Sequence, residues 1–304
     1  MRVYPHAVNI PVPVRAYVVG GGSDNVTVID TGSHEVVASV QVGAEPMLAA
    51  LSPDRSTLLV TNRDSMDVTV ISCTTLQVLR TVKVQDGAAG CAFTPDGRIV
   101  FVANEYAHTV SVLDTSDWTV LRHVHIGEGP CDIRVLPGGK QVVVTNEESH
   151  DVAVLDASTG EKLLSIPTPE GPLGLSLTPA GRFLIVACFL SNHVYAIDTR
   201  AWRIWWKIPV GSCHVGVCVT PDGREALITN SDQSHVSVVD LVARREAARI
   251  EVGSNPAYVQ LLPGGRQAYV SNRGADSVTL IDVPKRCPIR TIAVGASPLG
   301  VCVG

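Results

Sequence analysis

The sequence has no apolar run near the ~18 residues that a membrane-spanning helix needs, so no membrane insertion is expected. It has no CxxC pair, no Gly-rich phosphate loop, no GxSxG elbow and no HExxH segment, which removes the commonest signatures of zinc, nucleotide and serine-hydrolase chemistry. It has no excess of positive charge. The formal net charge of −5 gives no bulk attraction to nucleic acid or to an anionic membrane, and neither is expected as a partner. Residues 1–15 lack the apolar core of a secretory signal, and Pro5, Pro11 and Pro13 interrupt them. The eight cysteines follow no regular spacing, so reduced thiols and a cytoplasmic location are the simpler expectation. Nothing in the chain repeats with a helical period of 3.6, which excludes helical repeat folds.

The 304 residues do contain a repeat. The valine that opens a V-x-V-[ILV]-D segment falls at Val26, Val68, Val110, Val152, Val194, Val236 and Val278, 42 residues apart each time. Each unit holds four short runs of alternating apolar character, rich in Val and Ile and separated by Gly, Pro, Asn and Asp. These are strands joined as antiparallel hairpins. In the third unit they are expected at Ala88–Thr94, Ile99–Asn104, Val110–Asp114 and Val120–Ile126. Four-stranded units of about 40 residues, repeated four to eight times, describe a β-propeller. The start of the chain supplies three strands (15–20, 26–30 and 36–42) and the end supplies a fourth (298–304). The expected fold is therefore all-β, a seven-bladed propeller in residues 14–304, closed by one blade shared between the two ends. Residues 1–13 are expected to form an extended leader.

The second strand of most units ends in a recurring segment: LLVTN (58–62), VFVAN (100–104), VVVTN (142–146), ALITN (226–230) and AYVSN (268–272). With the Pro-Asp-Gly turns and the VxVID strands, the chain resembles the YVTN-repeat β-propeller family from about Val14 to Gly304. Gly20 and Cys188 depart from the Asn. That family includes scaffolds, a DNA-binding periplasmic protein and, more distantly, a metal-dependent antibiotic lyase, so the resemblance implies a fold and little about activity. It also implies that the first strand of each blade lines the central channel, and that the loops between strands two and three share the usual ligand mouth with the loops joining successive blades.

Along such a channel, the row of inward positions is made of small residues except for Asp132, Arg134, Tyr258 and Gln260, and the small residues are expected to leave the channel open. The rim is asymmetric: Glu105, Tyr106, Glu147 and Glu148 gather on the third and fourth units, with Arg63 and Arg273 across from them. Asymmetry among equivalent loops points to a shaped ligand site. His214 replaces the Pro that opens the first strand in other units and is the general-base candidate at the mouth, with Tyr258 as a donor to a developing oxyanion. Arg63, Glu105, Tyr106, Asp132, Arg134, Glu147, Glu148 and Arg273 are the expected ligand-binding residues. Cys131 is assigned to buried packing.

His108 and His150, like His193 and His235, recur at the repeat spacing. Neighbouring sheets pack roughly 10 Å apart, so such pairs are expected to brace loops instead of sharing a metal. No metal site and no cofactor is expected, although the mouth leaves room for a divalent cation. Trp205 aligns with Leu79, Leu121 and Leu163 and is expected to be buried; Trp206 aligns with Arg80, Arg122 and Arg290 and is expected to be exposed. Two functions are consistent with this pattern. One is a small-molecule site in the mouth, either binding alone or running lyase- or isomerase-type acid–base chemistry. The other is a non-catalytic scaffold with a protein partner or homodimer contact through the rim loops or Trp206.

Overall fold

The computed structural model describes residues 14–169 and 171–304, so the expected leader at 1–13 lies outside the described residues. Seven four-stranded antiparallel sheets follow one another around the chain. Blade 3 runs Ala88–Phe93, Ile99–Asn104, Thr109–Asp114 and Thr119–His125, within a residue of expectation. We call the four strands of each blade A to D, from the channel outward. Blade 1 is completed from both ends: Pro298–Val303 is its strand A and pairs antiparallel with Arg15–Gly20, with Tyr17 opposite Cys302 and Val18 opposite Val301. Arg15 and Gly304 exchange both backbone hydrogen bonds at 3.0 Å.

The core lies between blades. Each of seven apolar clusters joins one sheet to the next; Val143, Val154, Leu175 and Val186, for example, join blades 4 and 5. The cluster of Ala16, Val18, Ile29, Tyr269, Val278 and Leu280 joins blade 7 to blade 1 and closes the ring. Every sheet face is thereby covered by a neighbour, while strand A remains the inner edge strand of each sheet and strand D the outer one.

The recurring T-N pair has a physical reason. The buried amide of Asn62 donates to Asp67 Oδ1 at 2.8 Å and to Thr69 Oγ1 at 2.9 Å, tying strand B to strand C across their loop. Asn272 does the same with Ser277 and Thr279. The preceding hydroxyl reaches the next blade: Thr145 donates to Leu173 O, Thr229 to Ala257 O (both 2.7 Å) and Ser271 to Leu299 O at 2.6 Å. One hydroxyl per such blade therefore holds two channel strands together, in a place water does not reach.

Two bulges in each blade break the simple alternation. In strand A, Pro46 pairs with Asn62 but Ala49 pairs with Val60, so Met47 and Leu48 share the space of one residue. In strand D, Ala196 pairs with Trp206 but Ile197 pairs with Ile204, which leaves Trp205 as the extra residue. The same outer bulge projects Val37, Leu79, Leu121, Leu163 and Ile289 to solvent. The expectation for the two tryptophans is thereby reversed. Trp205 is 47% exposed, and Trp206 is partly buried against the cluster of Val239 and Leu241, with Phe183 at 6.2 Å between ring centres. A bulge inserts one residue and inverts the facing of every later residue in its strand, an effect that period-two alternation does not reveal.

The channel glycines also have a different job from the one expected. A Cβ on Gly174 would lie 2.0 Å from Val215 O, and one on Gly90 would lie 2.4 Å from Cys131 O. These positions face the neighbouring A strand, not the channel, and they are glycine so that the strands can approach backbone to backbone. Among the described residues no helix is long and apolar enough to cross a membrane.

Candidate functional site

At the end of the channel where the B–C loops and the inter-blade loops meet, a cavity of about 260 Å³ opens. Its floor is the bulged first turn of the A strands, including Met47, Cys131, Leu173, Val215 and Leu299. Its rim is the first residue of the B–C loops: Arg63, Glu105, Glu147, Phe189 and Arg273. Rigid strands thus present loop residues whose identity the fold does not dictate.

The polar groups divide across the ring. On blades 2 and 3, Arg63 pairs with Glu45 and lies 3.5 Å from Glu105 Oε2, and its guanidinium carbon sits 5.7 Å from the centre of the Tyr106 ring. Burial opposes the charge on Arg63, but Glu45 and Glu105 outweigh it and hold the guanidinium more firmly charged than usual. Burial pushes the Glu105 carboxyl up, against the pull of Arg63 and with the help of Glu147. The single proton of the Cys131 thiol is shared between two acceptors, Gly129 O at 3.3 Å and Glu147 Oε2 at 3.6 Å. Burial, then Glu105 and Glu147, hold that thiol well above its ordinary pKa, so it is neutral. On blade 7, directly across, Arg273 is exposed and has no carboxylate partner among the described residues.

Ligand atoms of Glu105, Cys131 and Glu147 all lie within 4.8 Å of one another. Two carboxylates and a thiol are a donor set that could hold a divalent cation, once the thiol has lost its proton.

Tyr258 and Leu48 line this cavity and also a second one of about 350 Å³ on the far side, toward the Pro-Asp-Gly turns. The two side chains form the waist of the channel. The Tyr258 hydroxyl makes no hydrogen bond among the described residues; burial, then the charge of Asp132, raises its pKa well above the ordinary value and keeps it a proton donor.

The structure brings five of the expected residues together in the mouth: Arg63, Glu105, Glu147, Tyr258 and Arg273. Tyr106 stands outside it at 49% exposure, stacked under Arg63, and Glu148 is an exposed rim residue that does not line the cavity. Arg134 lies beyond the waist, in the second cavity. Asp132 is not available to a ligand there: it is 1% exposed, Oδ1 accepts from Ile133 N at 2.8 Å and from Arg134, and Oδ2 accepts from Leu175 N at 3.1 Å.

His214 does not reach the mouth either. It is fully buried, Nδ1 lies 3.4 Å from Cys188 O, and Nε2 has no partner among the described residues. Burial lowers its pKa, so it stays neutral without contact to the cavity. The strand-A bulge turns position 214 into the blade interface, as it does the proline of other blades. Among the other histidines, His108 and His150 brace loops: Gly129 N donates to His108 Nδ1 at 3.1 Å, and His150 Nδ1 donates to Glu147 O in its own loop at 2.8 Å.

Cys131 is the site residue that sequence reasoning left among the packing residues. The signal was present: of Met47, Ala89, Cys131, Leu173, Val215, Ala257 and Leu299, which share its repeat position, it alone carries a polar group.

Residues 87–259 match the family model described as YNCE-like beta-propeller. No curated protein matches the chain. Among solved structures, Kuenenia stuttgartiensis hydrazine synthase is similar with a TM-score of 0.77 at 23% identity, covering 84% of this chain and 88% of that one. A functionally unknown protein from Desulfotomaculum acetoxidans DSM 771 gives a TM-score of 0.84 at 14% identity, covering 95% and 98%. Dihydro-heme d1 dehydrogenase NirN in complex with DHE gives 0.72 at 15% identity, covering 99% and 77%. At these identities the likeness is one of fold.

Proposed function

The chain belongs to the YNCE-like beta-propeller family, and from that premise we propose that it binds a small molecule in the channel mouth, a ligand with one cationic and one anionic group. The observation that carries this reading is that Arg273 on blade 7, with no carboxylate partner among the described residues, shares one cavity with Glu105 and Glu147, three blades away in either direction. A ligand ammonium would face the two carboxylates, and a ligand carboxylate would take the fork of Arg273 in a bidentate pair. Arg63 is already neutralised by Glu45 and Glu105 and serves to position Glu105. A volume of about 260 Å³ lies just below the ~300–1,000 Å³ typical of ligand sites, which fits a free amino acid or a similarly compact zwitterion and leaves no room for a haem. We read the LVTN-like segments as YVTN repeats, which agrees with a scaffold that displays variable mouths.

One observation favours a second reading, in which the site also runs acid–base chemistry. Glu105 is raised by burial and shares its cavity with the protonated Tyr258, an acid–base pair of the kind elimination or isomerisation needs. His214 has no part in it.

The test is a thermal-shift screen of free amino acids, diamines and dicarboxylates. Zwitterions are expected to raise the melting temperature more than amines or acids alone, and the rise should vanish in Arg273→Ala. Equal responses in wild type and Arg273→Ala would remove the mouth as the site.

A further inference from the structure

The cavity beyond the waist differs in kind from the mouth. No Asp or Glu lines it among the described residues, and Arg134 is its one charged wall residue. Around Arg134 the walls are apolar or neutral: Leu48, Leu51, Phe93 and Cys302. Burial pushes the Cys302 thiol up to about 11, so it remains a neutral wall at ordinary pH.

Arg134 is held in a particular way. Its Nη1 donates to Asp132 Oδ1 and, at 2.7 Å, to the carbonyl of Ile133. Nη2 and Nε have no partner among the described residues, and 39% of the side chain is accessible, facing the cavity it lines. Asp132 sits behind the guanidinium at 1% exposure and shares its charge among two backbone N–H groups as well as Arg134. The acid therefore fixes the arginine without presenting negative charge to the cavity. Two neutral polar residues line the same space: Tyr258, and Gln260, whose amide makes one side-chain hydrogen bond among the described residues, a long 3.4 Å bond to Leu261 O.

A guanidinium with one free edge, fixed from behind by a buried carboxylate, is a ready-made seat for a planar carboxylate. A lone arginine among apolar walls does not match a multiply charged inorganic anion, whose remaining charge would be desolvated without a partner. We propose that the chamber beyond Tyr258 is a second binding site, separate from the mouth, that takes an organic monocarboxylate on the free edge of Arg134 with its apolar body against Leu51 and Phe93. This stands independently of the mouth reading, because the two cavities share only Leu48 and Tyr258.

Benzoate is the probe. Titration calorimetry with benzoate is expected to show one site of millimolar or tighter affinity, weakened at least tenfold by Arg134→Lys, which keeps the charge facing Asp132 but loses the fork. Gln260→Leu, which breaks no ion pair, should weaken it severalfold and keeps the test alive if the arginine variant folds poorly. Sulfate at equal concentration should not displace benzoate. The proposal is overturned if millimolar benzoate does not bind, if both variants bind like wild type, if sulfate competes equally, or if Arg273→Ala removes the binding and so moves the anion to the mouth.

Discussion

Arg63 on blade 2 lies 3.5 Å from the Glu105 carboxylate on blade 3, and both side chains are more than four-fifths buried. That ion pair bridges two blades at the mouth and sets the roles of the two rim arginines apart. Arg63 is structural, and Arg273, with no partner among the described residues, is available to a ligand.

The two arginines should therefore respond differently to truncation. Arg63→Ala strands Glu45 and Glu105 beside each other at the mouth and should cost about 1–3 kcal/mol, the usual penalty for orphaning a buried polar group. Arg273→Ala should change stability by no more than ~0.5 kcal/mol, as surface substitutions do. Urea unfolding of both variants measures the difference, and equal losses would erase the distinction.

Glu105 should leave a mark on the pH dependence of stability. Its folded pKa is raised by burial, so the native state favours the protonated form. The stability that proton confers is fully present below the unfolded glutamate pKa of about 4.3 and is lost as pH rises through the folded pKa. Glu105→Gln should therefore gain on wild type as pH rises from about 4 and level off above the raised pKa. Denaturant midpoints at a series of pH values give the comparison; a difference between the two proteins that does not change with pH would contradict the buried carboxylate.

His214 acts with the opposite sign. Burial depresses its pKa, so the unfolded chain binds a proton that the native state refuses, and stability falls as pH drops below the unfolded value of about 6.5. His214→Pro installs the residue found at Pro46, Pro130, Pro172, Pro256 and Pro298. It should remove the loss that sets in as pH falls through about 6.5 and leave any ligand response of the mouth intact. A variant with an unchanged pH profile and an abolished ligand response would return His214 to the site.

The outer bulge separates the two tryptophans. Trp206→Glu should destabilise the protein by about 2–4 kcal/mol by placing a charge against the cluster of Val239 and Leu241, whereas Trp205→Glu should alter it by no more than ~0.5 kcal/mol. Should the chain form a homodimer through this edge, Trp205→Glu is the variant that turns it into a monomer in sedimentation velocity. A stability loss larger at 205 than at 206 would contradict the bulge.

The fold was legible because the spacing of Val26 to Val278 repeats without a single insertion, and because the N-terminal strands lack the partner that Pro298–Val303 provides. The rim was legible as well, since Arg63, Glu105, Glu147 and Arg273 occupy one repeat position and face one cavity. Alternation could not show the bulge. In strand A it brings Cys131 to the mouth floor and His214 into the blade interface, and in strand D it exchanges Trp205 and Trp206. Nor could spacing show that Asp132 spends both oxygens on Ile133, Leu175 and Arg134, which depends on how closely strands from two blades approach.

The central claim is that ligand lies between Glu147 and Arg273. The most direct measurement is titration calorimetry of the most stabilising zwitterion from the thermal-shift screen into wild type, Glu147→Gln and Arg273→Ala. One site per chain is expected, weakened at least tenfold, about 1.4 kcal/mol, by each substitution. Affinity unchanged in both variants would contradict the claim.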